Sequence, residues 1–143
     1  MGHITCNPCT TSGVGGELSP YTRYVITMLE QFAQFRKIPA PDIISTCRTA
    51  QRQLHLQREW DRGNRSGLAV RPADPQNSKH IAGPDGLCRA FDLGNSREWL
   101  KDVGPWVVKA FPGVRWGGNF IPPDFGHFDT PLPMSHVATI RLT

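Results

Sequence analysis

Apolar side chains recur at helical spacing in two segments of the chain, and each segment predicts a core helix. The first segment opens with Ser19-Pro20, which is typical of a helix N-cap followed by proline at the first helical position. Pro39 and Pro41 are expected to end it. Its apolar face comprises Tyr24, Val25, Met28, Leu29, Phe32 and Phe35.

The second core helix is predicted after Asn95, which can serve as N-cap with Glu98 three residues later in a capping-box arrangement. Pro105 is expected to kink or split this helix, because proline removes one backbone donor and crowds the preceding turn. A more polar helix is predicted between the two, over residues 49–62. The buried face of the second core helix comprises Trp99, Leu100, Val103, Trp106, Val107, Ala110 and Phe111.

Short segments with strand character are found at residues 42–47, 87–93, 114–118, 125–128 and 137–142. Helices near the front of the chain and strands mostly in its second half predict an α+β fold. We expect a single domain in which helices pack on one side of a small, mostly antiparallel sheet. Residues 1–18 are rich in Gly, Thr and Ser and predict an irregular N-terminal arm before a domain over residues 19–143.

The composition fits an ordinary folded domain and narrows the range of partners. A chain of 143 residues can bury a hydrophobic core without disulfides, and 14 glycines with 13 prolines indicate long loops. The net charge of +4 would suit an anionic partner, but the basic residues are scattered and no nucleic-acid-binding motif accompanies them. We therefore expect a solvated basic surface and no nucleic-acid partner. No apolar run has the length of a membrane-spanning helix, so no membrane insertion is expected.

The cysteines and the start of the chain bear on its compartment. The first six residues have neither the basic start nor the apolar core of a signal peptide, which predicts synthesis in a cytoplasm. Cys47 and Cys88 lie in apolar, strand-like stretches and are predicted to be buried thiols. Cys6-Asn7-Pro8-Cys9, with His3 nearby, supplies half of a zinc motif and leaves a structural zinc there open.

Two histidines and two aspartates are candidates for a catalytic metal site. His80, Asp92 and His127 offer two imidazole nitrogens and a carboxylate, a ligand set that can hold a catalytic zinc with one open coordination position. Asp124 would remain beside the metal as a general base, and Arg48 could stabilise a developing oxyanion. Each residue also has a plain structural interpretation. Asp92 could close a strand, Asp124 could cap a turn, and Arg48 could be a surface charge.

The sequence around His80 and Asp92 also carries a family motif. It reads Ser78-Lys79-His80-Ile81-Ala82-Gly83, then Arg89-Ala90-Phe91-Asp92-Leu93, with residues 84–88 between the two parts. This resembles the Ser-x-His-x-x-Gly-x-Ala-x-Asp motif of the VanY-like zinc D-alanyl-D-alanine peptidases and phage L-alanyl-D-glutamate endopeptidases, which have a hedgehog-type zinc fold. The histidine and aspartate of that family usually lie closer in sequence. We therefore expect residues 84–88 to form an excursion whose ends return to strand geometry.

Two further blocks resemble the same family. Trp116-Gly117-Gly118, followed by Asp124-Phe125-Gly126-His127-Phe128-Asp129, is similar to its Trp-Gly-Gly and Asp-x-x-His-Phe-Glu signatures, with Asp129 where glutamate is commoner. The stretch from Arg48 to Gln53 resembles an Arg-Ser-x-x-x-Gln block whose arginine contacts substrate. The resemblance implies zinc ligands at His80, Asp92 and His127, a catalytic base at Asp124, a substrate or transition-state arginine at Arg48, and hydrogen-bonding support from Ser78.

The function that this resemblance implies is a zinc metallopeptidase that hydrolyses amide bonds in peptidoglycan stem peptides, as a phage endolysin or a virion-associated lysin. Such an enzyme would be made in the host cytoplasm and would act as a monomer on the cell wall, from the periplasm or the exterior. The alternative is a structural virion protein that keeps the fold without lytic activity and has other virion proteins as partners. The sequence leaves open which peptide bond is cleaved, and whether cleavage is internal or terminal.

Overall fold

The computed structural model of the chain describes residues 16–65, 68 and 70–132. Within these ranges the chain forms helices α1 (Pro20–Arg36), α2 (Ala50–Asp61) and α3 (Arg97–Ala110). The strands are β1 (Glu17–Leu18), β2 (Ile43–Ser45), β3 (Leu87–Cys88), β4 (Ala90–Leu93), β5 (Arg115–Trp116) and β6 (His127–Asp129). None of the helices in these ranges is long and apolar enough to cross a membrane.

Four of these strands form an antiparallel sheet in the order β2-β4-β6-β5. Strands β1 and β3 form a separate parallel pair. The prediction of an α+β fold with a small, mostly antiparallel sheet is therefore confirmed. In the larger sheet, Ser45 of β2 and His127 of β6 lie opposite Asp92 of β4, on its two sides. This register brings two of the predicted metal ligands next to each other.

The core lies on one face of this sheet. Phe91 of β4 and Phe128 of β6 are completely buried and stack with their ring centroids 5.2 Å apart. They join the buried faces of α1 and α3 in one hydrophobic cluster. Because successive side chains of a strand point to opposite faces, Asp92 and His127 project away from this core. The alternation of side chains along these strands thus gives the sheet one buried apolar face and one polar face.

Helix α1 begins as predicted, whereas α3 differs in two respects. The Ser19 hydroxyl accepts a hydrogen bond from the backbone N–H of Thr22, so Ser19 is the N-cap of α1. The N-cap of α3 is Ser96 and not Asn95, which was predicted. The Asn95 side chain instead accepts a hydrogen bond from the backbone N–H of Asp42, which is far away in sequence. The local sequence pattern does not reveal this contact.

Helix α3 also continues through Pro105, so the predicted split does not occur. Its neighbour Gly104 explains how closely this part of the helix packs. A Cβ atom at Gly104 would lie 2.3 Å from the indole of Trp116, so any larger residue would push α3 off strand β5. Trp116 in turn donates its indole N–H to the carbonyl of Phe125, in the segment that leads to His127. Packing of Trp116 against α3 therefore helps to position the segment that leads to His127 on the polar face.

Cys47 and Cys88 are buried as predicted, but the prediction that they are free thiols is wrong, because they form a disulfide with Cα atoms 5.6 Å apart. Cys47 follows β2, and Cys88 lies in β3, so the disulfide ties the end of one strand to another. The segment 84–88 is consequently only partly an excursion. Residues 84–86 form an exposed turn, whereas Leu87 and Cys88 pair with the end of the predicted N-terminal arm at Glu17–Leu18. Residues 1–15 of that arm, with Cys6 and Cys9, and the strand predicted at 137–142 lie outside the described residues.

Replacing both Cys47 and Cys88 with alanine should lower the free energy of unfolding by about 2–4 kcal/mol, because the disulfide constrains the unfolded chain. The two cysteines are 41 residues apart in sequence, so a substantial loop is closed. Urea unfolding of both proteins without reductant measures the difference. Reductant should destabilise the wild type and leave the double variant unchanged, and equal unfolding midpoints without reductant would contradict the prediction.

Candidate metal centre

Three predicted ligands converge on the polar face of the sheet. Asp92 lies on β4 and His127 on β6, and His80 lies in the turn that precedes β3. One ligand atom of each lies within 4.8 Å of the others. The Asp92 carboxylate bridges the two rings, with Oδ2 3.2 Å from His80 Nε2 and Oδ1 3.2 Å from His127 Nδ1. These three residues could hold a metal ion.

Hydrogen bonds on the far side of each ring determine which nitrogen faces this centre. His80 Nδ1 lies 2.5 Å from the backbone carbonyl of Thr46. Because a carbonyl only accepts, Nδ1 must carry a proton, which leaves Nε2 as the nitrogen that faces Asp92 and could bind a metal. In His127 the roles are reversed, since Nε2 lies 2.8 Å from the carboxylate of Asp129 and Nδ1 faces Asp92. Both rings are thus oriented as metal ligands are.

Two of the distances between donor atoms are compatible with a zinc ion. Four ligands in a tetrahedron at about 2.0–2.1 Å from zinc are separated from one another by roughly 3.3 Å. The two distances of 3.2 Å between Asp92 oxygens and histidine nitrogens agree with that separation. Two imidazoles and one carboxylate also make up the three-ligand set of a catalytic site, which keeps one position open.

A second carboxylate supports His127 from behind. Asp129 is only 1% exposed, and both of its oxygens are engaged by the Arg115 guanidinium at 2.8 Å. The same carboxylate accepts the hydrogen bond from His127 Nε2. Arg115 is on β5 and Asp129 on β6, directly opposite each other, so the sheet register builds this support. An outer carboxylate of this kind fixes the orientation of a ligating histidine and raises its basicity.

The pKa values of the side chains in the metal-free site are shifted because several ionisable groups lie close together. Burial opposes ionisation of Asp92, but the two histidines outweigh it and hold the pKa of Asp92 well below its ordinary value. Burial likewise opposes protonation of His127, yet the hydrogen bonds that its ring donates to Asp129 and Asp92 raise the pKa of His127 to about 9. Metal binding at neutral pH must therefore displace a proton from this ring, because only the neutral imidazole is a ligand.

Arg48 lies at the same site but is engaged by a predicted ligand. Its guanidinium donates to Asp92 Oδ2 at 3.2 Å and also to Gln53 Oε1 and Ser45 Oγ. Its backbone N–H donates to the carbonyl of His80 at 2.7 Å. The Arg48 side chain lines the cleft in front of the candidate centre. Arg48 is therefore not the free surface charge that one interpretation of the sequence allowed.

Asp124 lines the same cleft as the three candidate ligands, and it is held there by its backbone. Its N–H donates to the carbonyl of Gly117 at 2.8 Å, and its own carbonyl accepts from the N–H of His127. A Cβ atom at Gly117 would lie 2.1 Å from that carbonyl, so the turn requires glycine. Burial and the nearby charge of Asp92 raise the pKa of Asp124. Within the described residues its carboxylate has no hydrogen-bond partner, which leaves it available for substrate or water.

Several further groups support the site, and only some of them could be predicted from the sequence. Ser78 was expected to help, and its hydroxyl accepts the backbone N–H of His80 at 3.2 Å. The Thr46 carbonyl carries no sequence signal, because any residue offers one. Gln53 connects Arg48 to the backbone of Ala73, and it could have been found five residues after the arginine in the matching block. His3, the remaining part of the half zinc motif, lies outside the described residues.

Replacing Asp129 with asparagine should weaken zinc binding about 10–100-fold, the usual effect of losing an outer hydrogen-bond partner of a ligating histidine. Asparagine keeps the size of the side chain but removes the charge that holds both His127 and Arg115. Competition with a chelator of known affinity measures the change. Asp102→Asn, at an exposed position on α3, is the matched control and should bind zinc as the wild type does. Equal affinities of the Asp129 variant and the wild type would contradict this role.

No protein-family model and no curated protein matches this sequence. Among solved structures, the chain is similar to the LdcB LD-carboxypeptidase, a protein whose structure reveals the molecular basis of peptidoglycan recognition. The two share a TM-score of 0.50 at 15% sequence identity, over 99% of this chain and 78% of that chain. At this level of identity the likeness establishes a common fold. It extends across nearly the whole chain, including the segments that carry the candidate centre.

Proposed function

We propose that this protein is a zinc-dependent peptidase that hydrolyses amide bonds in peptidoglycan stem peptides, and that it serves as a phage endolysin or virion-associated lysin. The observation that carries the proposal is the convergence of His80, Asp92 and His127 in a cleft that also contains Asp124. The fold shared with a peptidoglycan-recognising carboxypeptidase supports the substrate class. The sequence blocks that resemble zinc peptidases of the cell wall support the reaction.

Each residue of the cleft then has a role in amide hydrolysis. His80, Asp92 and His127 would hold the zinc, which polarises the scissile carbonyl and acidifies water. Asp124 accepts the proton of the attacking water and delivers it to the leaving amine. The raised pKa of Asp124 makes its carboxylate a better proton acceptor than an ordinary aspartate. Arg48 lies beside Asp92 with a fixed guanidinium and donates to the carbonyl oxygen as charge develops there.

The spare carboxylate distinguishes an enzyme from a structural protein. A site that only stabilises the fold needs its ligands and their outer partners, and a structural zinc is closed by four protein ligands. Asp124 is not among the three residues whose ligand atoms converge, yet its carboxylate lies half-buried in the same cleft, where burial raises its pKa. This arrangement favours a peptidase over a virion protein that merely keeps the fold.

The proposal is tested by hydrolysis of a synthetic stem peptide, followed by mass spectrometry, in the presence of zinc and of a chelator. We expect cleavage that stops when the chelator is present and returns when zinc is added in excess. Cleavage that continues in metal-free protein would show that the three residues do not hold a catalytic metal. A zinc-loaded protein that cleaves no stem peptide would refute the peptidase function.

A further inference from the structure

The cleft in front of the candidate centre is lined by four cationic side chains within the described part of the chain: Arg48, Arg71, Lys79 and Arg115. Three of them are paired with carboxylates. Arg48 pairs with Asp92, Arg71 with Asp61, and Arg115 with Asp129, at distances of 2.8–3.2 Å. Lys79 differs from these three, because the described residues provide no carboxylate in an ion pair with it. A cation that lacks an ion-pair partner at the wall of a cleft offers a binding position to an anionic group of a ligand.

The position of the Lys79 ammonium is nevertheless defined. Its Nζ donates to the backbone carbonyl of Thr130 at 3.0 Å, and Thr130 is completely buried. The backbone carbonyl of Lys79 accepts a hydrogen bond from the N–H of Arg89 at 2.8 Å. The residue is held at both ends, directly before His80 and beside the end of β6. An ammonium group has three donors, so one bond to a neutral carbonyl leaves two for a ligand.

Asp129 is a carboxylate whose charge acts on Lys79, but its oxygens are already engaged by other groups. Oδ1 accepts from Arg115 Nε, and Oδ2 accepts from both Arg115 Nη2 and His127 Nε2. The Asp129 charge attracts Lys79 from a distance but does not form an ion pair with it. A half-buried ammonium loses hydration, and a closely bound anion would replace what the Thr130 carbonyl does not.

We propose that Lys79 is a specificity residue that binds a free carboxylate of the peptide substrate, an inference that rests on the proposed peptidase function. Stem peptides with lysine at the third position offer two such groups, the C-terminal carboxylate and the α-carboxylate of a γ-linked D-glutamate. Both would form the same charge-assisted hydrogen bonds with the two remaining donors. If the C-terminal group is bound, the enzyme removes terminal residues. If the glutamate group is bound, internal cleavage is compatible with the site.

Binding of three synthetic stem peptides by calorimetry tests this assignment without depending on turnover. One peptide has both carboxylates free, one has a C-terminal amide, and one has D-isoglutamine in place of the D-glutamate. The zinc-loaded Asp124→Asn protein serves as the host, so that bound peptides are not consumed. We expect one of the two amidated peptides to bind about 10–100-fold more weakly than the free peptide, the effect of one lost hydrogen bond to a charged group. The peptide that loses affinity identifies the carboxylate.

Substitutions of Lys79 in the same host assign that preference to the ammonium. Lys79→Met keeps the length of the side chain and should bind all three peptides equally weakly, whereas Lys79→Arg should retain the preference. Lys109→Met, at an exposed position in the last turn of α3, is the control and should bind as the host does. A preference for the free carboxylate that survives in Lys79→Met, or no preference in the host, overturns the assignment. Wild-type protein that cleaves no peptide while the host keeps a Lys79-dependent preference refutes only the peptidase function.

Discussion

Replacing His127 with alanine should remove the bound zinc and the peptidase activity together. The ring supplies one of three protein ligands and is 3.2 Å from the carboxylate of a second. Losing it should weaken zinc binding by more than the ~10–100-fold expected for an outer partner such as Asp129. The zinc content of dialysed protein and the rate of stem-peptide cleavage measure the two losses. They should occur in the same variant and to the same extent.

His55→Ala is the matched control for this substitution. His55 is exposed on α2, away from the converging ligands, so its variant should retain full zinc content and activity. Because His127 is largely buried, circular dichroism of the His127 variant must first show that the helices remain folded. A folded His127→Ala protein that holds one zinc per chain would contradict the proposed ligand set.

Replacing Asp124 with asparagine should separate the two losses, with zinc retained and catalysis lost. The expected decrease in kcat is on the order of 10²–10⁴-fold, the usual contribution of a general acid–base residue. Asparagine preserves the backbone hydrogen bonds to Gly117 and His127 that shape the turn, so the metal ligands should not move. Its amide cannot accept the proton of an attacking water. Single-turnover kinetics and zinc analysis of the same preparation separate the two properties.

Asp102→Asn provides the comparison for the Asp124 variant, because Asp102 is exposed on α3 and contacts Arg36 at the surface. It should cleave at the wild-type rate. If Asp124→Asn also cleaves at the wild-type rate, the proton is handled by another group and the mechanism is wrong even with zinc in place. If it loses zinc, Asp124 acts on the metal site and not on the proton.

The contrast between α1 and α3 explains which helix signals could be predicted from the sequence. Local signals sufficed for α1, because Ser19 and Pro20 act within one turn of each other. For α3, either Asn95 or Ser96 could act as the N-cap, and the choice between them depends on a contact with a residue far away in sequence. Asn95 is used to hold the backbone at Asp42, which leaves Ser96 as the cap. A single sequence does not reveal such a competition.

The candidate centre shows the same division. His80, Asp92 and His127 could be selected because their residue types and order match a motif, and the structure brings them together. The Thr46 carbonyl that orients His80, and the disulfide that fixes the neighbouring Cys47, depend on tertiary contacts of the segment that follows β2. Apolar surroundings predicted that both cysteines are buried, but they do not distinguish a thiol from a disulfide. Spacing in sequence also could not show that Arg48 would be engaged by Asp92.

The segment 84–88 was difficult to predict for a related reason. Removing it restores an uninterrupted motif, so a simple exposed loop was the natural expectation. Its first three residues form such a turn, whereas Cys88 is completely buried and bonded to Cys47. The backbone of Gly83 donates to the carbonyl of Leu87 at 2.9 Å, which closes the turn at its base. The insertion therefore contributes a strand and a crosslink as well as a loop.

Mass spectrometry of the muropeptides released from purified cell wall tests the central claim most directly. The wild type should release peptide fragments whose masses correspond to hydrolysis of one kind of amide bond, and a chelator should abolish their release. The zinc-loaded Asp124→Asn protein should release the same fragments at least ~10²-fold more slowly. A wild-type protein that holds zinc at His80, Asp92 and His127 but releases no peptide from any wall tested would contradict the account and favour a structural protein of the virion.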